Sequence, residues 1–333
     1  MKMWKHCVVL AAVLVATWTT STFAILGDFG DLYVATHTDN SVIQFDVPTF
    51  TRETGTFATG TGDQAFGLVF SRDGSKMWVS GKNSQVVREY DAASGGAPTS
   101  TPIDLTTTGN PDRPAGLALS PDGSTLYVTD VELLTVTAYN TTTWAAGDVW
   151  TGISSASEYL AINAAGTRAY TGGSERIHEI DLTTAGGAAT DLIVSPLGAG
   201  SDNFIGTGIV VHPVTGNILS AHRGGNTRFT DSVIEVSPGG SYLRTVVAGI
   251  DGQPTGLGIS PDGSTLYAGH NACCGAATNV LRKYAVTSSG LFTFLGDTPA
   301  GSTRLNAMAV RVPEPATLAV LAFGGLMLRR RRA

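Results

Sequence analysis

The octapeptide SPDGSTLY stands at 120–127 and again, letter for letter, at 260–267. The match extends on both sides: AGLALSPDGSTLYVTD at 115–130 aligns with TGLGISPDGSTLYAGH at 255–270. FGLVFSRDGSKMWVSG at 66–81 is a third copy, and YLAINAAGTRAYTGG at 159–173 and GIVVHPVTGNILSAH at 208–222 are weaker ones. The anchors Gly67, Gly116, Tyr159, Gly208 and Gly256 are 49, 43, 49 and 48 residues apart, so the two octapeptides are three repeat lengths apart. Self-similarity at this period marks a solenoid or a radial array of small units.

Each unit has the chemistry of a hairpin with further strands attached. Leu117-Ala118-Leu119 is a short apolar run of the kind buried on both faces. Ser120-Pro121-Asp122-Gly123 is a turn, in which Pro sets φ, Asp bonds to local backbone and Gly ends the reversal. Leu126-Tyr127-Val128 returns, and Thr135–Tyr139 alternates as a half-buried third strand. A less patterned outer strand must then lead to the next unit. Four strands in about 45 residues make a β-propeller blade.

Residues 31–46, DLYVATHTDNSVIQFD, look like second and third strands with no first strand before them, and 305–312, LNAMAVRV, like a first strand with nothing after. Joining them makes a last blade from both ends and closes the ring without an open edge. The expected fold is therefore an all-β, six-bladed β-propeller over 25–312, with seven blades as the alternative. A β-sandwich does not account for six phased repeats. The units resemble YVTN and NHL-like propeller repeats, most clearly at SPDGSTLYVTDVELLTVTAYN (120–140). The unit at Tyr159 departs from the pattern, with Asn163-Ala164-Ala165-Gly166 in place of the Ser-Pro-Asp-Gly turn.

Both ends lie outside this pattern. Residues 1–24 begin with Lys2 and Lys5, continue into an apolar run and finish in small residues at Thr22 and Ala24, which is the form of a secretory signal peptide. Residues 313–333 begin Pro313-Glu314-Pro315, continue through the apolar run Ala316–Leu328 and end in Arg329, Arg330, Arg331 and Arg332. A helix of that apolar run would span about 20 Å against about 30 Å of hydrocarbon, a short transmembrane segment with a basic stop. The order of parts resembles the PEP-CTERM sorting signal. That resemblance implies recognition by an exosortase-type enzyme, transient anchoring in the inner membrane of a Gram-negative-type bacterium, and sorting to the cell surface or extracellular matrix. A plain C-terminal membrane anchor is the alternative.

Without these ends the body keeps 15 basic and 26 acidic residues, a formal charge of −11. Phosphate binding needs a cationic stripe, and none is present, so nucleic acid is not an expected partner.

In a propeller, the loops entering the first strand and leaving the second lie around one channel mouth. Gln64, Arg113, Glu158, Asn203, Gln253 and Asn306 precede the inner strands and form an expected polar ring. Some six-bladed lactonases and gluconolactonase-like enzymes hold a divalent ion at this mouth. By analogy, Glu158, Asn203 and Asn306 could supply oxygen ligands for Ca²⁺, or could simply bond loop backbone. His222 and His270 hold equivalent places after their second strands, with His37 one residue further along; three imidazoles could ligate Zn²⁺ or Cu²⁺, or be polar rim residues. Arg113, Arg223 and Asn271 join the two histidines as candidate ligand contacts. Cys273 and Cys274 are the cysteines of the exported body. Adjacent Cα atoms are about 3.8 Å apart, below the usual disulfide range, so a vicinal disulfide would be strained. Free thiols, or thiolates joining His270 at a metal, are the alternatives.

No GxSxG, HExxH, P-loop or Rossmann fingerprint is present. The sequence thus favours a binding or interaction module, docking a glycan or matrix protein on the face that carries 222–231 and 270–279. A metal-dependent lactonase-type hydrolase is the alternative, and a purely structural matrix component the third reading.

Overall fold

The computed structural model describes residues 30–62, 64–100, 103–104, 113–154, 157–172, 176–192, 205–223, 232–247, 253–271, 279–287, 290–301 and 303–312. Residues 1–24, expected to be a signal peptide, and 313–333, expected to be a sorting tail, fall outside them, as do Asn203, Cys273, Cys274 and the side chain of Arg223.

The regular elements are all strands, and they form six sheets. Blade 1 holds β1 (Leu32–Thr36), β2 (Ser41–Asp46) and β3 (Thr51–Arg52). Blade 2 is β4 (Ala65–Phe70), β5 (Lys76–Gly81), β6 (Val86–Asp91) and β7 (Ile103–Asp104). Blade 3 is β8 (Pro114–Leu119), β9 (Thr125–Asp130), β10 (Thr135–Asn140) and β11 (Ala146–Thr151). Blade 4 is β12 (Leu160–Ile162), β13 (Arg168–Gly172) and β14 (Ile177–Asp181), with β15 (Gly187–Ala188) leaving it before β16 (Thr190–Leu192) completes it. Blade 5 is β17 (Ile205–Val211), β18 (Ile218–Arg223), β19 (Ser232–Val236) and β20 (Tyr242–Val247). Blade 6 is β21 (Gln253–Ile259), β22 (Thr265–Asn271), β23 (Asn279–Val286) and β24 (Phe292–Gly301). Finally β25 (Leu305–Val310) returns to blade 1 as its inner strand, antiparallel to β1. The ring closes as the two half-patterns at 31–46 and 305–312 demand, with six blades and not seven. One element is unforeseen: β15 pairs parallel to β11 and covers the outer edge of blade 3.

The core is distributed by seam. Alternation along a strand turns successive side chains to opposite faces, so each blade must cover both. Six clusters result, one per blade interface: Tyr33, Val42, Leu68 and Tyr90 fill the seam of blades 1 and 2, and Leu219, Val233, Leu257 and Tyr284 that of blades 5 and 6.

The repeated glycine has a steric reason. In blade 2, Ala65 faces Gly81 and Leu68 faces Val79, so Phe66 and Gly67 bulge opposite Ser80. The same irregularity recurs at Pro114/Leu117, Gly206/Ile209 and Pro254/Leu257. The bulge presses the inner strand against the next blade. A Cβ on Gly67 would lie 2.2 Å from the Ala115 carbonyl oxygen, one on Gly208 2.2 Å from that of Thr255, and one on Gly256 1.6 Å from that of Asn306. Side chains at the bulges then stitch the strands together around the ring. Thr207 Oγ1 donates to the Pro254 carbonyl (2.8 Å), Thr255 Oγ1 to Leu305 (2.7 Å), Asn306 Nδ2 to Ala65 (2.7 Å) and Ser80 Oγ to Ala115 (2.6 Å).

The octapeptide turns sit at the other end of the inner strands. Ser120 Oγ donates to Asp122 Oδ1 (2.5 Å) and accepts the Thr125 N–H (2.9 Å), while Asp122 accepts the Ser124 N–H (3.0 Å); Gly123 supplies φ +78°. In blade 4 one residue replaces both: Asn163 Oδ1 accepts the N–H groups of Thr167 (2.8 Å) and Arg168 (3.1 Å), and Gly166 has φ +69°. The hydrogen bonds from Ser260 and Ser264 hold the Asp262 carboxyl down at about 2. Asp262→Ala is expected to lower stability at neutral pH by about 1 kcal/mol, measured as a shift of the urea midpoint.

Candidate functional site

The six inner strands enclose an apolar channel of ≈ 280 Å³, lined by Leu68, Leu117, Leu160, Ile209, Leu257 and Met308 among others, with no charged side chain in the lining. The groups able to bind polar ligands stand above it, at the end where the inner strands begin.

The register sorts the expected polar ring into two layers. Gln64, Arg113 and Arg304 each directly precede the residue that pairs with the end of the second strand, and Gln253 is itself paired with that end, opposite Asn271; these form the outer layer. Phe66, Ala115, Glu158, Thr207 and Thr255 precede the anchor positions, Asn306 precedes the matching Ala307 of β25, and these six form the inner layer. Thr207, Thr255 and Asn306 are hydrogen-bonded to the next blade's backbone. Glu158 is therefore the one ionisable group of the inner layer.

Its partner is Lys82, which directly follows β5. The ammonium of Lys82 is ion-paired with the Glu158 carboxylate and lies 4.9 Å from the centroid of the Phe66 ring. Phe66 in turn packs on Tyr159, with centroids 5.1 Å apart. Both contacts reach from blade 2 to blade 4 across blade 3, so an aromatic pair and an ion pair close the channel together. The Lys82 side chain is 9% exposed and that of Glu158 32%, which leaves the carboxylate open to solvent on one side. Among the described residues, no group of three or more His, Cys, Asp and Glu is arranged to hold a metal.

Around this centre, His37 is half-buried. Burial first, then the Arg304 and Lys82 charges, lower its pKa against the opposing effects of Glu158 and a hydrogen bond with Gln64, so the imidazole is neutral at pH 7. Gln64 adopts φ +60° and its N–H donates to Asn40 Oδ1 (2.7 Å). Arg113 is 3.8 Å from Glu132 at the surface, its N–H directed to Asp130 Oδ2 (3.3 Å). Asn271 is buried, its Oδ1 accepting the Leu305 N–H (2.9 Å), and is part of the frame.

His222 and His270 do hold equivalent places, opposite Gly206 and Pro254. Yet they are 2% and 1% exposed, and they serve different seams. His222 shares a strand face with Ser220 and Ile218, which packs with Ile177 of blade 4, whereas His270 shares one with Ala268 and Leu266, which pack on Leu219 of blade 5. The sheet of blade 5 thus separates the two imidazoles. Burial pulls both pKa values down to about 3, helped at His270 by Arg282.

The pattern reading passed over Lys82, Phe66, Tyr159 and Arg304. Aligning the ends of the second strands finds Lys82, because it occupies the place of His37, Arg223 and Asn271.

Fold and mouth together define a six-bladed β-propeller with a polar basin over an aromatic floor. No protein-family profile matches the chain, and no curated protein matches it. Among solved structures it is similar to a chain of the Nidogen/Laminin complex, at 15% identity and TM-score 0.63 over 85% of this chain and 99% of that one. It is also similar to Kuenenia stuttgartiensis hydrazine synthase, at 18% identity and TM-score 0.51 over 71% of this chain and 66% of that one. The β-propeller domain of Myceliophteria thermophila Cps50 (Swd1) matches at 12% identity and TM-score 0.52, over 70% and 71%. At these identities the likeness is one of fold.

Proposed function

We propose that the chain is an exported, surface-sorted propeller that works as a binding module in the cell envelope or extracellular matrix, with the mouth as its binding face. The observation that carries this reading is the division between the two ends of the ring. The Lys82–Glu158 pair, His37, Gln64, Arg113 and Arg304 gather at the mouth. The described residues begin and stop on the opposite side: Gly30 N–H donates to the Arg311 carbonyl (2.8 Å), and Arg311 Nε to Gly74, in a turn between first and second strands (2.9 Å). A tail that sorts through the exosortase route would therefore tether the turn face and present the mouth outward. The half-exposed carboxylate, neutral imidazole and guanidinium groups suit a hydroxyl-rich, carboxylate-bearing glycan of the matrix, with a matrix protein docking on the same face as the alternative. A chain of the Nidogen/Laminin complex shares this fold, which is consistent with a propeller used for assembly.

The test is calorimetric titration of the chain with extracellular polysaccharide from its own producing cells. Lys82→Ala combined with Glu158→Ala is expected to weaken binding about tenfold or more, the size of a lost charge-assisted contact. Replacing 224–230 and 272–278 by short turns should act in the same direction. Unchanged affinity in both variants moves the site off the mouth.

A further inference from the structure

The outer edges of the ring are unequal. The fourth strands of blades 1, 2 and 4 are two, two and three residues long, and that of blade 3 is covered by β15. Blade 6 ends in the ten-residue β24, with Asp297 as its one charge and no strand on its outer side among the described residues. Soluble sheets ordinarily shorten, charge or cover such an edge. The far part of β24 is held against blade 1, where Thr298 Oγ1 donates to the Phe50 carbonyl and Arg52 Nη1 to that of Ala300 (2.8 Å). The near part projects, with Leu291 63%, Phe294 55% and Leu295 55% exposed.

Leu291-Phe292-Thr293-Phe294-Leu295 reads the same in both directions. A strand that pairs antiparallel with its own copy makes a twofold contact, in which residue i meets j and j meets i. Centred on Thr293, that pairing sets Phe292 opposite Phe294 twice; Leu291 lies just before the strand and Leu295 in the bulge between Phe294 and Gly296, so these two flank the paired segment. Charge points the same way. A twofold contact brings like groups together, and a chain of net charge −6 repels itself over most of its surface. Residues 286–296, VTSSGLFTFLG, carry no ionisable side chain. The neighbouring Arg244 is ion-paired with Glu235 (2.6 Å) and lies over Phe292, 5.8 Å from the ring centroid. We propose that this edge is a self-association surface: a second copy of the chain pairs antiparallel across Thr293 and joins two four-stranded blades into one eight-stranded sheet.

The test uses the whole chain with Cys7, Cys273 and Cys274 replaced by serine. Thr293→Cys places one thiol on the twofold axis, where facing Cα atoms about 4.5–5.5 Å apart fall within disulfide range. Leu295→Cys places its two copies about 13 Å apart along the ladder, too far to join. Mild oxidation is expected to cross-link a majority of the first variant and little of the second. Phe294→Lys removes the ring contact with Tyr284 (centroids 5.8 Å apart) and should lower the melting temperature by only about 2–4 °C, while it abolishes the cross-link and sediments as monomer. Should it fail to fold, Leu295→Lys makes the same break. Equal cross-linking at 293 and 295, a monomer throughout the accessible concentrations, or a dimer that survives the lysine variants would overturn the proposal.

Discussion

Gly256→Ala is expected to be among the most damaging conservative substitutions in the ring, at or above the top of the range of about 1–3 kcal/mol usual for overpacking. The added Cβ would lie 1.6 Å from the Asn306 carbonyl oxygen and 2.7 Å from its carbonyl carbon. These are backbone atoms, so no side chain can swing aside; the seam between blades 6 and 1 must open. Opening it also strains the next link, because Asn306 Nδ2 holds the Ala65 carbonyl of blade 2. Gly208→Ala and Gly67→Ala, each with 2.2 Å to a neighbouring carbonyl oxygen, should follow with smaller losses. Gly239→Ala is the control, since its nearest neighbour is Ser237 Oγ at 4.0 Å; a change within about 0.5 kcal/mol is expected there. Urea midpoints of the four variants decide the matter. If Gly256→Ala unfolds with Gly239→Ala, the close approach of neighbouring strands does not govern stability.

That glycine illustrates how far the sequence could be read. Its recurrence at 67, 116, 208 and 256 was visible as a period, and together with the half-patterns at 31–46 and 305–312 it gave blade count and closure. Its cause was not visible, because the colliding atom belongs to a strand some fifty residues later. The departure at Asn163 was legible as a difference but not as an equivalence, since one amide doing the work of a serine and an aspartate is a matter of geometry. β15 left no signal at all: Gly187-Ala188 has neither alternation nor β-branched residues, and its pairing is set by the blade it reaches. At the mouth, the residues before the inner strands fall in two layers, which only the bulge register separates. Lys82 was legible from the ends of the second strands, where it follows β5 in the place that His37 holds after β1. The equivalence of His222 and His270 was legible; their burial was legible too, had strand alternation been carried from Ile218 and Leu266 to the strand ends.

Those two histidines lead to the second large effect, an acid transition above the carboxylate range. Burial holds both imidazoles at about 3 in the folded protein, against 6.5 when exposed. Between these values the unfolded chain binds protons that the folded ring refuses, so stability is complete above pH 6.5 and falls as the pH drops. From pH 7 to pH 5 each histidine is expected to remove about 2 kcal/mol, hence about 4 kcal/mol for the pair, out of a total of about 5–15 kcal/mol. Arg282 beside His270 acts in the same direction, and His37 and His178, also lowered, add to the slope. Carboxylates cannot mimic the effect in this window. Hydrogen bonds hold Asp122 and Asp262 at about 2 and lower Asp46, Asp73 and Asp91, so what they contribute persists down to pH 3.8 and is lost only below it. His222→Gln, His270→Gln and the double variant, compared with the parent by urea titration at pH 7 and pH 5, separate the contributions. The parent's loss should fall by just under half in each single variant, and the double one should keep only the smaller loss from His37 and His178. A parent whose midpoint is the same at both pH values would mean that the imidazoles are protonated in place, and that seams 4–5 and 5–6 admit water where the structure packs side chains.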